Sequence, residues 1–301
     1  MISFTIFETT KLHIYMKIIQ ETELILTEEK KIYHLNLAPN DIADDIILVG
    51  DPGRVEIISS KFDKIECKIQ NREFTTHTGI LNEKRISVIS TGIGTDNIDI
   101  VVNELDALVN TNFDKRTVNR KKKSLNLIRI GTSGALQKDI EIDTFLVSSY
   151  GLGFDNLAHF YSDKSVIEKE ISRAYEKYTD WPKNLSSPYI VKASEKLFSL
   201  FNDLSNGITA TAPGFYGPQG RALRLNPSIK DLHTKMQNFN FNNLKIANFE
   251  METSALYYLG RTLGHNTLTI CAVIGNRANK KYSKDYKITI DKLINLVLNR
   301  I

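Results

Sequence analysis

Five short apolar runs, each carrying glycine at or near its end, punctuate the chain: IILVG (46–50), ISVISTGIG (86–94), NLIRIGTSG (126–134), TFLVSSYG (144–151) and LTICAVIGN (268–276). Their apolar residues largely follow one another instead of alternating with polar ones, as in strands covered on both faces. Apolar residues three and four apart at 96–109, 164–178, 251–264 and 288–300 predict helices between some of these strands. Strands interleaved with helices define an α/β fold. No repeat or linker divides the chain, so one domain is expected. Glycines at the strand ends place a small-molecule site there, because ligands of α/β sheets collect beyond the carboxyl ends.

Composition narrows the options without naming a function. The 301 residues are 42% hydrophobic and 25% charged, as in an ordinary globular protein. A net charge of +4 is too mild to argue for nucleic acid. The basic run Arg120–Lys123, inside the polar stretch 110–124, reads as a solvated insertion. No run approaches the roughly 18 apolar residues of a membrane span. Cys67 and Cys271 lie far apart without metal-ligand spacing, which fits buried thiols in a reducing, cytoplasmic setting. The opening MISFTIFETTKLHIYMK has no basic leader region and no clean apolar stretch, so no secretory signal is expected. A second methionine, Met16, precedes Lys17 and a stretch that reads as folded protein, so residues 1–15 are expected to lie outside the core fold. We set an N-terminal extension at 1–27 and the domain at 28–301.

Four segments carry candidate chemistry. In ILVGDPGRVE a buried strand ends at Gly50, turns, and presents Arg54, which makes either an oxyanion cradle or an ordinary Asp-Pro-Gly turn. LIRIGTSGAL buries Arg129 in an apolar strand, with Thr132 following, a costly placement unless an anion or a core carboxylate meets the guanidinium. FYGPQGR holds Gln219 and Arg221 beside the aromatic pair Phe215 and Tyr216, suited to a planar hydrogen-bonding heterocycle or to a surface turn. In NFEMET a helix from about residue 251 puts Glu252 at the head of a stripe with Ala255, Leu256, Leu259 and Leu263. Glu250 is then turned roughly 100° or more away, which leaves it a helix-end role. STGIGTDN lacks the full dinucleotide-binding spacing.

Taken in order, GDPGRVE, NREFTTHTG, STGIG, RIGTSGALQ, FYGPQGR and NFEMET resemble the nucleoside phosphorylase family, and most closely its uridine phosphorylase branch, from about residue 33 to 277. The resemblance implies a single-domain three-layer α/β/α fold with a central mixed sheet. It implies phosphorolysis of uridine, and of thymidine or deoxyuridine, to the free base and a pentose 1-phosphate. By the same resemblance Gly50, Arg54, Arg129 and Thr132 cradle phosphate, and Arg72 reaches the phosphate of a neighbouring subunit. His34 contacts the ribose 5′-hydroxyl across that interface, Glu252 takes the 2′- and 3′-hydroxyls, and Met251 packs on the sugar. Phe215, Gln219, Arg221 and Arg277 meet the base, with Arg221 and Glu252 the catalytic pair. No metal or organic cofactor is implied, phosphate being a co-substrate, and the partners are uridine, phosphate and a second copy in a homodimer or trimer of dimers.

Two rivals share the fold: a purine nucleoside phosphorylase and a non-catalytic nucleoside-binding protein. The purine branch carries an aspartate after the last core strand, whereas this chain has Asn276 and Arg277. Three departures stand out. Thr95, Asp96 and Asn97 replace the pattern at which members hold a monovalent cation, the 110–124 insertion bears on subunit packing, and Gly275 replaces a branched apolar residue. The last is expected to enlarge the base pocket for 5-substituted uracils.

Overall fold

The computed structural model describes residues 17–301. Strand β1 (Asp45–Val49) runs into helix α1 (Pro52–Ser59), where Asp51 caps the first turn by accepting from Gly53 N at 2.9 Å and Pro52 takes the first helical position. A meander of β2 (Lys64–Asn71), β3 (Phe74–Leu81) and β4 (Lys84–Ser90) precedes α2 (Thr95–Asn110). Two short strands, β5 (Thr111–Asn112) and β6 (Thr117–Val118), form a separate hairpin. The middle of the chain supplies β7 (Asn126–Ala135), β8 (Phe145–Gly153), α3 (Leu157–Phe160), α4 (Lys169–Thr179), β9 (Tyr189–Lys192), α5 (Glu195–Phe198) and β10 (Asn206–Thr211). The last third holds α6 (Leu232–Asn238), β11 (Asn240–Phe241), β12 (Leu244–Glu250), α7 (Thr253–Thr262), β13 (Asn266–Asn276), β14 (Lys281–Tyr282) and α8 (Tyr286–Leu298).

Twelve strands form one mixed sheet. β4, β1, β7 and β13 are parallel neighbours, which brings their glycine-bearing carboxyl ends to one edge. β8 runs antiparallel to β13, then β10 and β12 follow parallel to β8. β12 also returns antiparallel to β7, pairing Asn248 with Ala135 and Phe249 with Gly134. β7, β13, β8, β10 and β12 therefore close into a ring, and β1, β4, β3 and β2 extend from it as an open wing. The single α/β domain with a central mixed sheet expected from the sequence is present, with this closure as an added feature.

The sheet's apolar runs are buried as their composition demands, with Ile46–Val49, Ile128, Ile130, Leu268 and Ile270 almost fully inaccessible. α7 is buried from Thr253 to Gly260, all round and not along one stripe. It lies between α2 and the sheet, so both of its faces meet apolar partners.

Of the extension expected over 1–27, residues 1–16 lie outside the described residues. Residues 18–24 run against the β5–β6 hairpin, where Arg116 donates to the carbonyls of Ile19 (2.9 Å), Gln20 (3.0 Å) and Leu24. Leu24 and Ile32 enter the main core. The 110–124 stretch is thus partly ordered as a clamp, while Arg120–Lys123 remain exposed, Lys123 pairing with Asp44. Among the described residues no helix is long and apolar enough to cross a membrane.

Candidate active site

A cavity of about 770 Å³ opens at the carboxyl ends of the parallel strands. Gly50, Arg54, Arg129, Thr132, Phe215, Gln219, Arg221, Met251, Glu252 and Arg277, from five separate stretches of sequence, all line it. His34 and Arg72 do not.

At one end stand two arginines. Arg129 sits in mid-β7, in register with Leu48 of β1 and Thr269 of β13. Its guanidinium folds back over Gly131, where any Cβ would collide with Nη1. That glycine is therefore a space requirement. The core-carboxylate reading of this buried arginine is the one seen: Arg129 pairs with Glu252 and, at 3.4 Å, with Glu250, and it lines the cavity as well. Burial works against its charge, but the two carboxylates outweigh that and hold it ionised more firmly than an ordinary arginine. Arg54, from the first turn of α1, has a single protein hydrogen bond, to the Ile130 carbonyl at 3.2 Å, and no ion pair among the described residues. Burial first, then repulsion from Arg129, lower its pKa. Two neighbouring guanidiniums, one without a counter-charge, invite an oxyanion.

The acidic segment corrects one expectation. The strand continues to Glu250 and the helix begins at Thr253, so Glu250 is not turned to solvent. It is buried, accepting from Thr211 Oγ1 (2.6 Å), Glu252 N (2.9 Å) and Thr253 N (3.0 Å). Glu250 thus caps the amino end of α7 from inside, where the helix dipole favours a carboxylate. Placing the helix start at 251 misjudged its direction, though not its service to the helix end. Glu252 Oε1 accepts from Gly94 N at 2.9 Å, while Oε2 meets Arg129. Gly94 reaches it at φ +103, a conformation that side chains resist. The STGIG loop, weak as a dinucleotide signature, is therefore a holder for this carboxylate. Burial drives the Glu252 pKa up to about 7; Glu250 adds to the rise and Arg129 opposes it.

At the other end, Gln219 is almost fully buried although Phe215 and Tyr216 are half exposed. Arg221 donates to Gln219 Oε1 and to the Phe215 carbonyl at 2.6 Å, its guanidinium lying 3.8 Å above the Phe215 ring. Arg277 donates to the Gln219 and Gly220 carbonyls, fixing the loop from the opposite side. Burial, with Arg277 as second cause, lowers the Arg221 pKa. No carboxylate pairs with either arginine among the described residues. Asn276, at the end of β13 and also in the cavity lining, commits its amide nitrogen by donating to the carbonyls of Gln137 (2.8 Å) and Ile140 (2.6 Å).

His34 and Arg72 lie together outside the cavity lining. His34 Nδ1 is 2.6 Å from Glu104, and Asn71 donates to the His34 carbonyl at 2.8 Å. Arg72, at φ +55, stands 5.6 Å from the centre of the Tyr33 ring. The cavity also recruits Ile93, Phe249, Ile274, Gly275, Lys280 and Tyr282. Tyr282 and Lys280 follow Arg277 within one hairpin, so their closeness in sequence to Arg277 was the one signal that could have pointed to them.

An α/β protein whose cavity joins an arginine pair, a carboxylate and a glutamine–arginine clamp is equipped for an oxyanion, a polyol and a heterocycle. The Phosphorylase superfamily matches residues 44–297, and the chain belongs to it. It is 31% identical over 258 residues to a uridine phosphorylase of Thermococcus kodakarensis, covering 86% of this chain and 82% of the relative. A DeoD-type purine nucleoside phosphorylase of Clostridium perfringens is 28% identical over 282 residues, with 88% and 97% covered. Among solved structures, a Trypanosoma brucei nucleoside phosphorylase reported to show uridine phosphorylase activity aligns with a TM-score of 0.81 at 27% identity, covering 92% of this chain and 98% of that one. The protein is an enzyme of the pentosyltransferase type that cleaves nucleosides by phosphorolysis.

Proposed function

We propose that the nucleoside is uridine, with deoxyuridine or thymidine as further substrates, in pyrimidine salvage. The observation that carries this reading is the acid-free base end: Gln219 clasped by Arg221 and Arg277, beside an Asn276 amide already committed to two carbonyls. A purine leaves best when an acid protonates its N7, and among the described residues the only acids in the cavity lining are Asp51, Glu250 and Glu252. Glu250 and Glu252 are bound to Arg129 and Asp51 caps α1. Uracil can instead leave as an anion facing guanidinium groups. A glutamine amide can also accept from uracil N3–H and donate to one carbonyl, while cytosine would set a donor against Arg221.

In this reading Arg54 and Arg129, with the backbone of Gly50 and Thr132, hold phosphate below the sugar. Glu252 accepts from the 2′- and 3′-hydroxyls, with Met251 against the ribose. A phosphate oxygen bonds to C1′ as the C1′–N1 bond breaks. That electron pair moves onto uracil, is stabilised by Arg221, and takes a proton from solvent afterwards. Phe215 flanks the base and Arg277 holds Gln219 to it. His34 and Arg72, placed off the cavity lining, serve the site of a second copy, so a homodimer or a trimer of dimers is the working unit. Phosphate-dependent release of free base from uridine, thymidine, cytidine and inosine tests the assignment. Uridine is expected to lead; release from inosine alone would sink it.

A further inference from the structure

Gly275 and Tyr282 are register partners in the β13–β14 hairpin, and both line the cavity. A Cβ built on Gly275 would lie 3.1 Å from Tyr282 Cδ2 and 3.6 Å from Cε2. The phenol ring therefore covers the space that a side chain at 275 would fill. The expectation of an enlarged pocket at Gly275 is thereby corrected: the volume released by the glycine is covered by a residue seven positions on. The two positions form one unit, because a side chain at 275 would press on the ring as it lies and push it aside by a few tenths of an ångström.

We propose that Tyr282 sets the tolerance of the base site for substituents at C5 of the pyrimidine, an inference that rests on the uridine reading. Gln219 and Arg221 take the polar O2–N3–O4 edge of the ring, which leaves the apolar C5–C6 edge to face the remaining wall. Ile274, Gly275 and the ring of Tyr282 supply apolar surface to that wall, beside Lys280 and Lys281. Arg277 precedes Tyr282 in the same hairpin and is tied to the Gln219 carbonyl, so the hairpin couples the polar clamp to the aromatic wall. Tyr282 is itself 65% exposed, so it can be truncated without opening the core.

The test is the ratio of kcat/KM for 5-methyluridine to that for uridine, with orthophosphate, in the wild type, Tyr282→Ala and Tyr282→Phe. One methyl group in an apolar pocket is worth about tenfold or more in discrimination. Tyr282→Ala is expected to raise the ratio by about tenfold, and Tyr282→Phe, which retains the ring, is expected to keep the wild-type ratio. Uridine turnover with an unchanged ratio in Tyr282→Ala overturns this proposal alone. A wild type that cleaves inosine and not uridine overturns the pyrimidine reading and this proposal with it.

Discussion

Arg129 meets Glu250 and Glu252 through the two terminal nitrogens of its guanidinium and lines the cavity as well, whereas Arg54 lines the cavity with almost no protein partner. The two arginines should therefore fail differently. Removing either is expected to cut kcat/KM for phosphate by about 10²–10³, as for loss of a charge-stabilising donor. Arg129→Ala additionally strands two buried carboxylates, a loss of about 3–5 kcal/mol in unfolding free energy. Arg54→Ala should unfold at nearly the wild-type denaturant concentration. Parallel denaturant titrations and phosphate-saturation kinetics separate the two, and wild-type phosphate dependence in both variants would remove the cradle. Glu252 supplies a pH prediction. Its folded-state pKa is raised from 4.5 to about 7, so the folded protein holds that proton more tightly than the unfolded chain. The resulting stability is complete below 4.5 and is lost as pH rises through about 7. Glu252→Gln cannot ionise and loses nothing in that window. Without ligand, the melting temperature of the wild type minus that of Glu252→Gln should fall across it; a constant or growing difference contradicts the burial argument.

The end of β13 is where one element decides between two chemistries. Asn276 donates through Nδ2 to Gln137 and Ile140 carbonyls and accepts from Asn279 N at 3.0 Å, which closes the turn towards β14. An aspartate there would face two carbonyl oxygens with no hydrogen to give. Asn276→Asp is expected to cost about 1–3 kcal/mol or more in thermal unfolding and to confer no inosine cleavage. Inosine phosphorolysis by that variant would show that the turn can present an acid after all. This turn also marks what the sequence displayed. β1, β4, β7, β8 and β13 are legible because they are nearly continuous apolar runs, and α2 and α8 because their apolar residues recur at helical spacing. β2 alternates exposed and half-buried residues at the open edge, and β10 is rich in threonine and glycine, so neither stands out. β12 was hidden behind α7, since NFEMET reads as a helical lead-in until the strand pairing of Phe249 with Gly134 is known. That pairing spans more than a hundred residues, beyond any local periodicity. The same blindness hid Tyr282, which matters only because the hairpin register sets it over Gly275.

For the molecule as a whole, the cavity is edged by apolar side chains that one chain leaves open: Ile93 is 68% exposed and Phe215 50% exposed. His34 and Arg72, meanwhile, share a surface cluster with Tyr33 and Asn71 away from that cavity. A pair of chains related by a two-fold axis could bring each cluster to the other's cavity mouth, since such an interface uses the same patches reciprocally. If it does, complementary damage can be repaired by mixing. One parent carries His34→Ala with Arg72→Ala, and the other carries Arg54→Ala, each nearly inactive alone. In a hybrid dimer one site inherits Arg54 from the first chain and intact His34 and Arg72 from the second, while its twin site carries all three lesions. Random pairing of equal amounts makes about half the dimers hybrid, and so restores about a quarter of the sites. Co-expression followed by a uridine phosphorolysis assay should therefore recover about a quarter of wild-type activity, against nearly none in the separately expressed parents. Activity that stays at the sum of the parents, in a preparation shown by native mass spectrometry to contain hybrids, would mean that each chain completes its own site.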